Sequence, residues 1–236
     1  MIVSSFYHIT FSFILLSFIA KFGGPSYNLD FDNTSKESTK EDLWKVKLTD
    51  SLGIPEPAIN YAISGYLNLK QSNQLQNDSL IAIVDFSKPS VYKRFFILDI
   101  KNKKIIKNTL VAHGKNSGFH TAESFSNAVN SNQSSLGLYI TQNTYFGKHG
   151  YSLRLQGVEK GLNDNAYKRA VVIHGADYVS DNFISRNGRI GRSFGCPALP
   201  PEDTQEVIDL IKNGTCLFIY HPKLNAISPA EQEILQ

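Results

Sequence analysis

A chain of 236 residues with 42% hydrophobic content is long enough to bury a sizeable core in one ordinary domain. Its formal net charge of +3 is too small to argue for nucleic-acid binding, and its basic residues are scattered apart from KNKKIIK at 101–107. That run reads as a solvated hairpin; no Walker loop, GxGxxG or basic–aromatic interleaving accompanies it.

Residues 1–20 contain no Lys, Arg, Asp or Glu, and 9–20 form a mostly apolar run. The run is short for a spanning helix and has the length of an export signal. It lacks a basic n-region and a clear A-x-A site, so attachment to a membrane through an uncleaved N-terminus is the alternative. Residues 21–41, rich in Ser, Asn and Asp, read as a polar linker, and 42–236 as the catalytic domain.

Within that domain, 42–76 reads as mainly helical. A first segment spans about 43–52, Gly53-Ile54-Pro55 breaks it, and a second begins at Pro55-Glu56-Pro57. In the second, Ala58, Ala62, Tyr66 and Leu69 recur at helical spacing. From Leu80 the pattern changes to short β-rich runs at 80–86, 94–100, 104–113, 136–141, 151–157, 170–175 and 216–221. Turn residues separate them at 87–90, 101–103 and 142–144. A further helix is expected over about 201–213. Many short strands with a few flanking helices predict a mainly β domain, a sandwich or a partly closed barrel.

The chemistry concentrates at 170–200. Ala170-Val171-Val172-Ile173 has the β-branched character of a buried strand, and His174-Gly175 follow at once. Twenty-two positions after His174 stands Cys196, in Gly191-Arg192-Ser193-Phe194-Gly195-Cys196-Pro197. A thiol with an ordinary pKa of about 8.5 is mostly protonated at neutral pH, and an imidazole that takes its proton leaves a reactive thiolate. Glycine beside the cysteine lets a substrate carbonyl approach closely, and the backbone N–H groups of Gly195-Cys196 are candidate oxyanion donors. Ser193 either orients the histidine or caps the turn. The bland alternative is an inert cysteine beside a core histidine.

Two cysteines are few for a disulfide-stapled exported domain. Cys216 lies in the strand-like CLFIY and reads as inert, so a Cys196–Cys216 pair is not expected. His113, His120, His149 and His174 invite a zinc reading, but no HExxH, HxH or paired carboxylates accompany them, and no metal is expected. His113-Gly114 and His149-Gly150 sit at turns like that of His174-Gly175, and are candidate cleft-lining, substrate-binding residues together with Gly175. Arg192, and after it Arg189 and Arg169, could grip a carboxylate with two parallel hydrogen bonds; the alternative, which carries more weight for Arg189 and Arg169, is a surface or fold-supporting arginine. Phe125-Ser126-Asn127 and Asn163-Asp164-Asn165 read as loop-fixing elements.

HG at 174–175 with GRSFGCPALP at 191–200 resembles the L,D-transpeptidase catalytic domain, the cysteine enzymes of peptidoglycan cross-linking with a YkuD-type fold. The branch pattern continues in DFSKPS at 85–90, VAHGKNSG at 111–118, FSN at 125–127, SSLGLY at 134–139 and YFGKHGYSLRLQG at 145–157. Better-known members carry Ser/Thr-His-Gly-Cys at the nucleophile; here Phe194 replaces that histidine. The resemblance implies an L,D-transpeptidase-like fold with Cys196 as nucleophile, His174 as base and no cofactor. It also implies peptidoglycan stem peptides as partners and a place in the periplasm or cell envelope. D-Ala would leave a tetrapeptide stem and a third-to-third cross-link would form. With water as acceptor the same residues make an L,D-carboxypeptidase, and without turnover the fold is a peptidoglycan-binding module.

Overall fold

The computed structural model describes residues 53–227. The export segment, the linker and the helix expected over 43–52 lie outside the described residues. Helix α1 (Glu56–Gln71) starts where Pro55 and Pro57 fix the backbone, and it buries Ala58, Ile59, Ala62, Ile63, Tyr66 and Leu69 on one face. That face meets the sheet; the Tyr61 ring stacks on Phe218 at 4.8 Å.

Eight strands form one mixed sheet: β1 (Leu80–Asp85), β2 (Phe95–Asp99), β3 (Lys104–Thr109), β4 (Gly137–Gly147), β5 (Gly150–Gly157), β6 (Val172–Gly175), β7 (Ala198–Leu199) and β8 (Cys216–Tyr220). Their order is β3-β2-β1-β8-β4-β5-β6-β7. The β1–β8 and β6–β7 pairs are parallel, and the other neighbours are antiparallel. Strand β1 is buried along its whole length, as a central strand covered on both faces must be. Beyond β3 the chain reaches Ala112, whose N–H donates to the Ala198 carbonyl of β7 at 2.8 Å. The two edges of the sheet thus meet, and of the two expected architectures the structure is the partly closed barrel.

Helices α2 (Asp181–Asn187) and α3 (Pro201–Ile211) follow β6 and β7, and α4 (Leu224–Ile227) follows β8. Most apolar side chains join one core. A second, small cluster of Leu110, Ala112, Val179, Ile190 and Ala198 lies apart from it. It underlies the segment that joins β6 to β7.

Two expectations are corrected. The turn expected at 142–144 is a bulge inside the 11-residue β4, where the register shifts between Thr141 and Thr144. Its carbonyls stay satisfied because Asn213 N–H donates to Gln142 and Gly214 N–H to Thr141. The strand expected over 104–113 ends at Thr109, and only Ala112 beyond it pairs again.

A polar network runs through the interior beside β2. Arg94 is fully buried. Its Nε and Nη2 donate to the Val111 carbonyl at 3.1 and 2.9 Å, and its Nη1 donates to Lys88 O at 2.7 Å. Nη2 also lies 2.8 Å from His113 Nδ1. A guanidinium only donates, so Nδ1 is the acceptor and the proton of neutral His113 sits on Nε2, which donates to Gly118 O at 3.3 Å. Burial, reinforced by Arg94, pushes His113 down to about 3.

Such a depressed imidazole contributes stability that is present above the unfolded pKa and is lost as pH falls towards the folded one. The unfolded chain then binds a proton that the folded state refuses, at about 1.4 kcal/mol per pH unit. Asp85, raised by burial, works in the opposite sense over part of that range. Urea unfolding at pH 7 and 4.5 is expected to show the parent losing about 2–3 kcal/mol more than His113→Gln. Equal losses would remove His113 from the account.

Candidate active site

Strand β6 begins just after a tight turn. Arg169 N–H bonds back to Asn165, Ala170 N–H to Tyr167 and Val171 N–H to Ala166, and Ala170 adopts a left-handed φ of 53°. An alanine there is strained by about 1–2 kcal/mol, a cost met where surrounding packing dictates the backbone.

His174 is nearly buried on β6, level with Ser152 of β5 and Ala198 of β7. Its Nδ1 lies 2.9 Å from the Gly175 carbonyl. A carbonyl only accepts, so in the neutral ring Nδ1 carries the proton and Nε2 is left as the base. The His149 ring of the β4–β5 hairpin stacks on it at 4.4 Å. Burial first, and then His149, depress the His174 pKa, so the ring is neutral at pH 7.

Cys196 precedes Ala198 by two residues, and Ala198 pairs with His174 in parallel register. The bend that leads into β7 thus brings Cys196 alongside the start of β6, where the Val172 N–H meets its sulfur. The half-buried thiol donates to the Ala170 carbonyl at 3.8 Å. Burial raises its pKa, against the Val172 N–H and the Arg169 charge, which lower it. Thiol and imidazole are thus both neutral at rest. Cys216 is also free, but it is fully buried in β8 and pushed up to about 12.

Ser193 shapes the turn before Cys196. Its Oγ donates to Cys196 O at 2.6 Å and accepts from Gly195 N–H at 3.0 Å. Its backbone is fastened to the segment after β3, with Ser193 N–H donating to His113 O and Lys115 N–H to Ser193 O. Of its two expected roles the hydroxyl takes the turn-capping one. The Gly195 N–H is therefore occupied, whereas the Cys196 N–H makes no hydrogen bond among the described residues. Gly195 has φ 122°, and a Cβ there would stand 2.7 Å from Gln133 O and 3.2 Å from Arg169 Nη2. Only glycine fits.

The other candidates separate into two groups. His149 and Gly175 line a cavity of about 330 Å³ with Tyr151, Asp177, Thr204 and Gln205. His113, expected to line the cleft, is instead interior, with both ring nitrogens engaged and no exposed surface. It holds the 114–118 loop. Arg192 serves that loop as well, its Nη1 donating to Lys115 O and Gly118 O at 2.9 and 3.0 Å. The guanidiniums of Arg189 and Arg192 both lie over the half-exposed Phe119 ring. Phe194 is 70% exposed, with Lys115 Nζ above its ring at 4.4 Å. Among the described residues no cluster of His, Cys, Asp or Glu is gathered that could hold a metal ion.

Sequence reasoning missed the surroundings of Cys196. Tyr178 lies near enough for the sulfur's charge, after burial, to help push its phenol up to about 12. Arg169 donates into the loop over 126–135 and is not among the residues that line the cavity. The Asn127 and 163–165 expectation holds, since Asn127 bonds Asp164 and Asn165, and Asn163 bonds the Leu136 and Leu138 carbonyls.

The family model described as L,D-transpeptidase catalytic domain matches residues 51–220. No curated protein matches the sequence. Among solved structures, the chain is similar to an L,D-transpeptidase from Mycobacterium smegmatis, at 12% identity and TM-score 0.37, covering 61% of this chain and 59% of that one. It is also similar to L,D-transpeptidase 1 from Mycobacterium tuberculosis, at 13% identity and TM-score 0.35, covering 61% and 62%. A third is the helical cell shape determining protein Pgp2 from Campylobacter jejuni, at 12% identity and TM-score 0.41, covering 66% and 53%. The chain thus spans about three fifths of the length of such structures, which are too distant to bear on its chemistry.

Proposed function

The chain belongs to the L,D-transpeptidase catalytic domain family, and from that premise we propose that it is an exported cysteine acyltransferase acting on peptidoglycan stem peptides, with Cys196 as nucleophile and His174 as base. The observation that carries the reading is the parallel β6–β7 register, which sets Cys196 beside the strand of His174, whose Nε2 is left unprotonated. The apolar N-terminal segment supports export to the periplasm or cell envelope.

His174 Nε2 takes the thiol proton as Sγ attacks the carbonyl carbon of the amide between the third stem residue and its terminal D-Ala, an L-to-D linkage. The Cys196 N–H donates to the oxyanion as it develops. The C–N bond then breaks, the imidazolium proton passes to the leaving amine, and D-Ala departs from a thioester. An amine of a neighbouring stem attacks the same carbonyl, loses its proton to His174 and expels the thiolate, which is reprotonated. The product is a third-to-third cross-link. Arg192 and Lys115, on the two strands of chain that flank the turn, and the cavity beside His149 are the surfaces available to the carboxylate-rich stems.

Intact-protein mass spectrometry after incubation with purified disaccharide-tetrapeptide tests this. The parent is expected to gain a thioester adduct and to yield cross-linked dimer, and Cys196→Ala to do neither. Tripeptide in place of dimer would mean that water is the acceptor. A reduced thiol with no adduct and no product would leave a peptidoglycan-binding module.

A further inference from the structure

Arg169 carries more of the structure than a surface cation does. Of the two roles open to it from the sequence, gripping a substrate carboxylate or supporting the fold, it takes the second. Its Nη1 donates to Ser126 O at 2.8 Å and to Ser135 Oγ at 3.1 Å, and its Nη2 to Ser131 Oγ at 3.2 Å and Gln133 O at 2.5 Å. All four partners lie in one loop, and all are neutral. Among the described residues no carboxylate pairs with it, so its charge is left uncompensated. The site it would occupy against Gly195 is equally specific, since a Cβ at 195 would stand 3.2 Å from its Nη2. The guanidinium is thus wedged between the serine-rich loop and the back of the cysteine turn.

We infer that Arg169 is a positioning residue for Cys196: it clamps loop 126–135 behind the Gly195-Cys196 turn and holds a fixed positive charge beside the sulfur. The inference rests on Cys196 reacting as a thiolate, as proposed above, but not on the identity of the substrate.

The chain from 169 to 172 offers the sulfur different partners in its two ionisation states. The left-handed Ala170 turns its carbonyl to the thiol, and that carbonyl can accept only from S–H. Once the proton has gone, the same carbonyl repels the sulfur. What then attracts it are the Val172 N–H and Arg169, the two groups that lower the thiol pKa against burial. Among the described residues the charged and titratable groups around Cys196 are Arg169, Tyr178 and, on the neighbouring strand β6, the neutral His174. Tyr178 is neutral, with its phenol pushed up, so the standing charge on the thiolate's side is that of Arg169. Cationic neighbours of this kind are what make a cysteine reactive.

The test is the pH dependence of Cys196 alkylation by iodoacetamide in the full chain, with Cys216→Ala removing the second thiol. Arg169→Gln is expected to move the alkylation midpoint up by about one pH unit, so that the rate at pH 7 falls roughly tenfold and recovers at high pH. Arg169→Lys, which keeps the charge but not the fork, is expected to restore most of the midpoint. Ser135→Ala frees one arm of the clamp and is expected to move it the same way by less. A rate lowered by one factor at every pH, with the midpoint unmoved, would overturn the inference. So would an unmoved midpoint in Ser135→Ala and a Lys-like charge that makes no difference, and these decide the matter where Arg169→Gln does not fold. Alkylation needs no peptidoglycan. Normal midpoints without turnover would therefore sink the proposed function alone, and shifted turnover with flat midpoints would sink this inference alone.

Discussion

Replacing His174 by glutamine is expected to lower turnover of a tetrapeptide stem at pH 7 by roughly 10³-fold, within the range that a positioned general base supplies. The amide can still donate to the Gly175 carbonyl, but it offers no lone pair basic enough to take the thiol proton. The parent needs that transfer because burial holds the Cys196 thiol protonated at neutral pH. It can make the transfer because burial also keeps His174 neutral. The sign for pH follows. Activity should hold from below the ordinary histidine pKa of about 6.5 up towards the raised thiol pKa, and fall on the acid side as His174 is protonated. In the variant the acid limb vanishes, and activity climbs with pH as the thiol ionises unaided. Turnover at pH 7 within tenfold of the parent would mean that His174 is not the base.

Arg94→Met should be the most damaging single change to the fold, at about 3–5 kcal/mol. Methionine fills much of the space but takes the guanidinium's donors away from the Val111 and Lys88 carbonyls and from the buried His113 Nδ1. It also removes one of the two positive charges, with Lys88, that favour the ionised form of the buried Asp85. For a domain of this size the melting temperature is expected to fall by roughly 10 °C. Arg94→Lys supplies a charge without the fork and should recover only part of the loss. A melt within 2 °C of the parent, roughly the effect of 1 kcal/mol or less, would show that the network contributes little. Because His113 and Arg192 share the Gly118 carbonyl, the damage should also reach the cysteine turn.

Much of this was legible in the sequence, and the reason differs by element. Strands β1, β2, β6 and β8 are apolar runs between turn residues and β5 alternates buried leucines with polar side chains, so their local chemistry and their burial agree. Helix α2 has no buried residue, and hence no apolar periodicity; only Ser180, whose Oγ caps Phe183 N–H, and Gly188 mark its ends. Strand β7 has two residues, and its pairing with β6 and Ala112 is long-range. The site divides in the same way. Cys196, Gly195 and His174 stand out in the sequence because the proposed reaction calls for those residue types in a glycine turn and at a strand end. Histidine at a turn looks the same whether it is buried, as His113 is, or exposed, as His149 is. Nothing in the sequence shows what Arg169 holds, because its partners lie 34 to 43 positions away in a loop with no periodic pattern.

The segment between β6 and β7 leaves the sheet with His174 and returns with Cys196. Within it, Gly188 ends α2 in the left-handed conformation, and a side chain there would meet nothing within 4 Å. The positions of the proposed nucleophile and base are set by the two strands, and the open space at Gly188 leaves the joining chain room to change length there. A change of length at 186–189 should therefore leave Cys196 and His174 in register. A peptide tag inserted after Gly188 should be tolerated on the same ground.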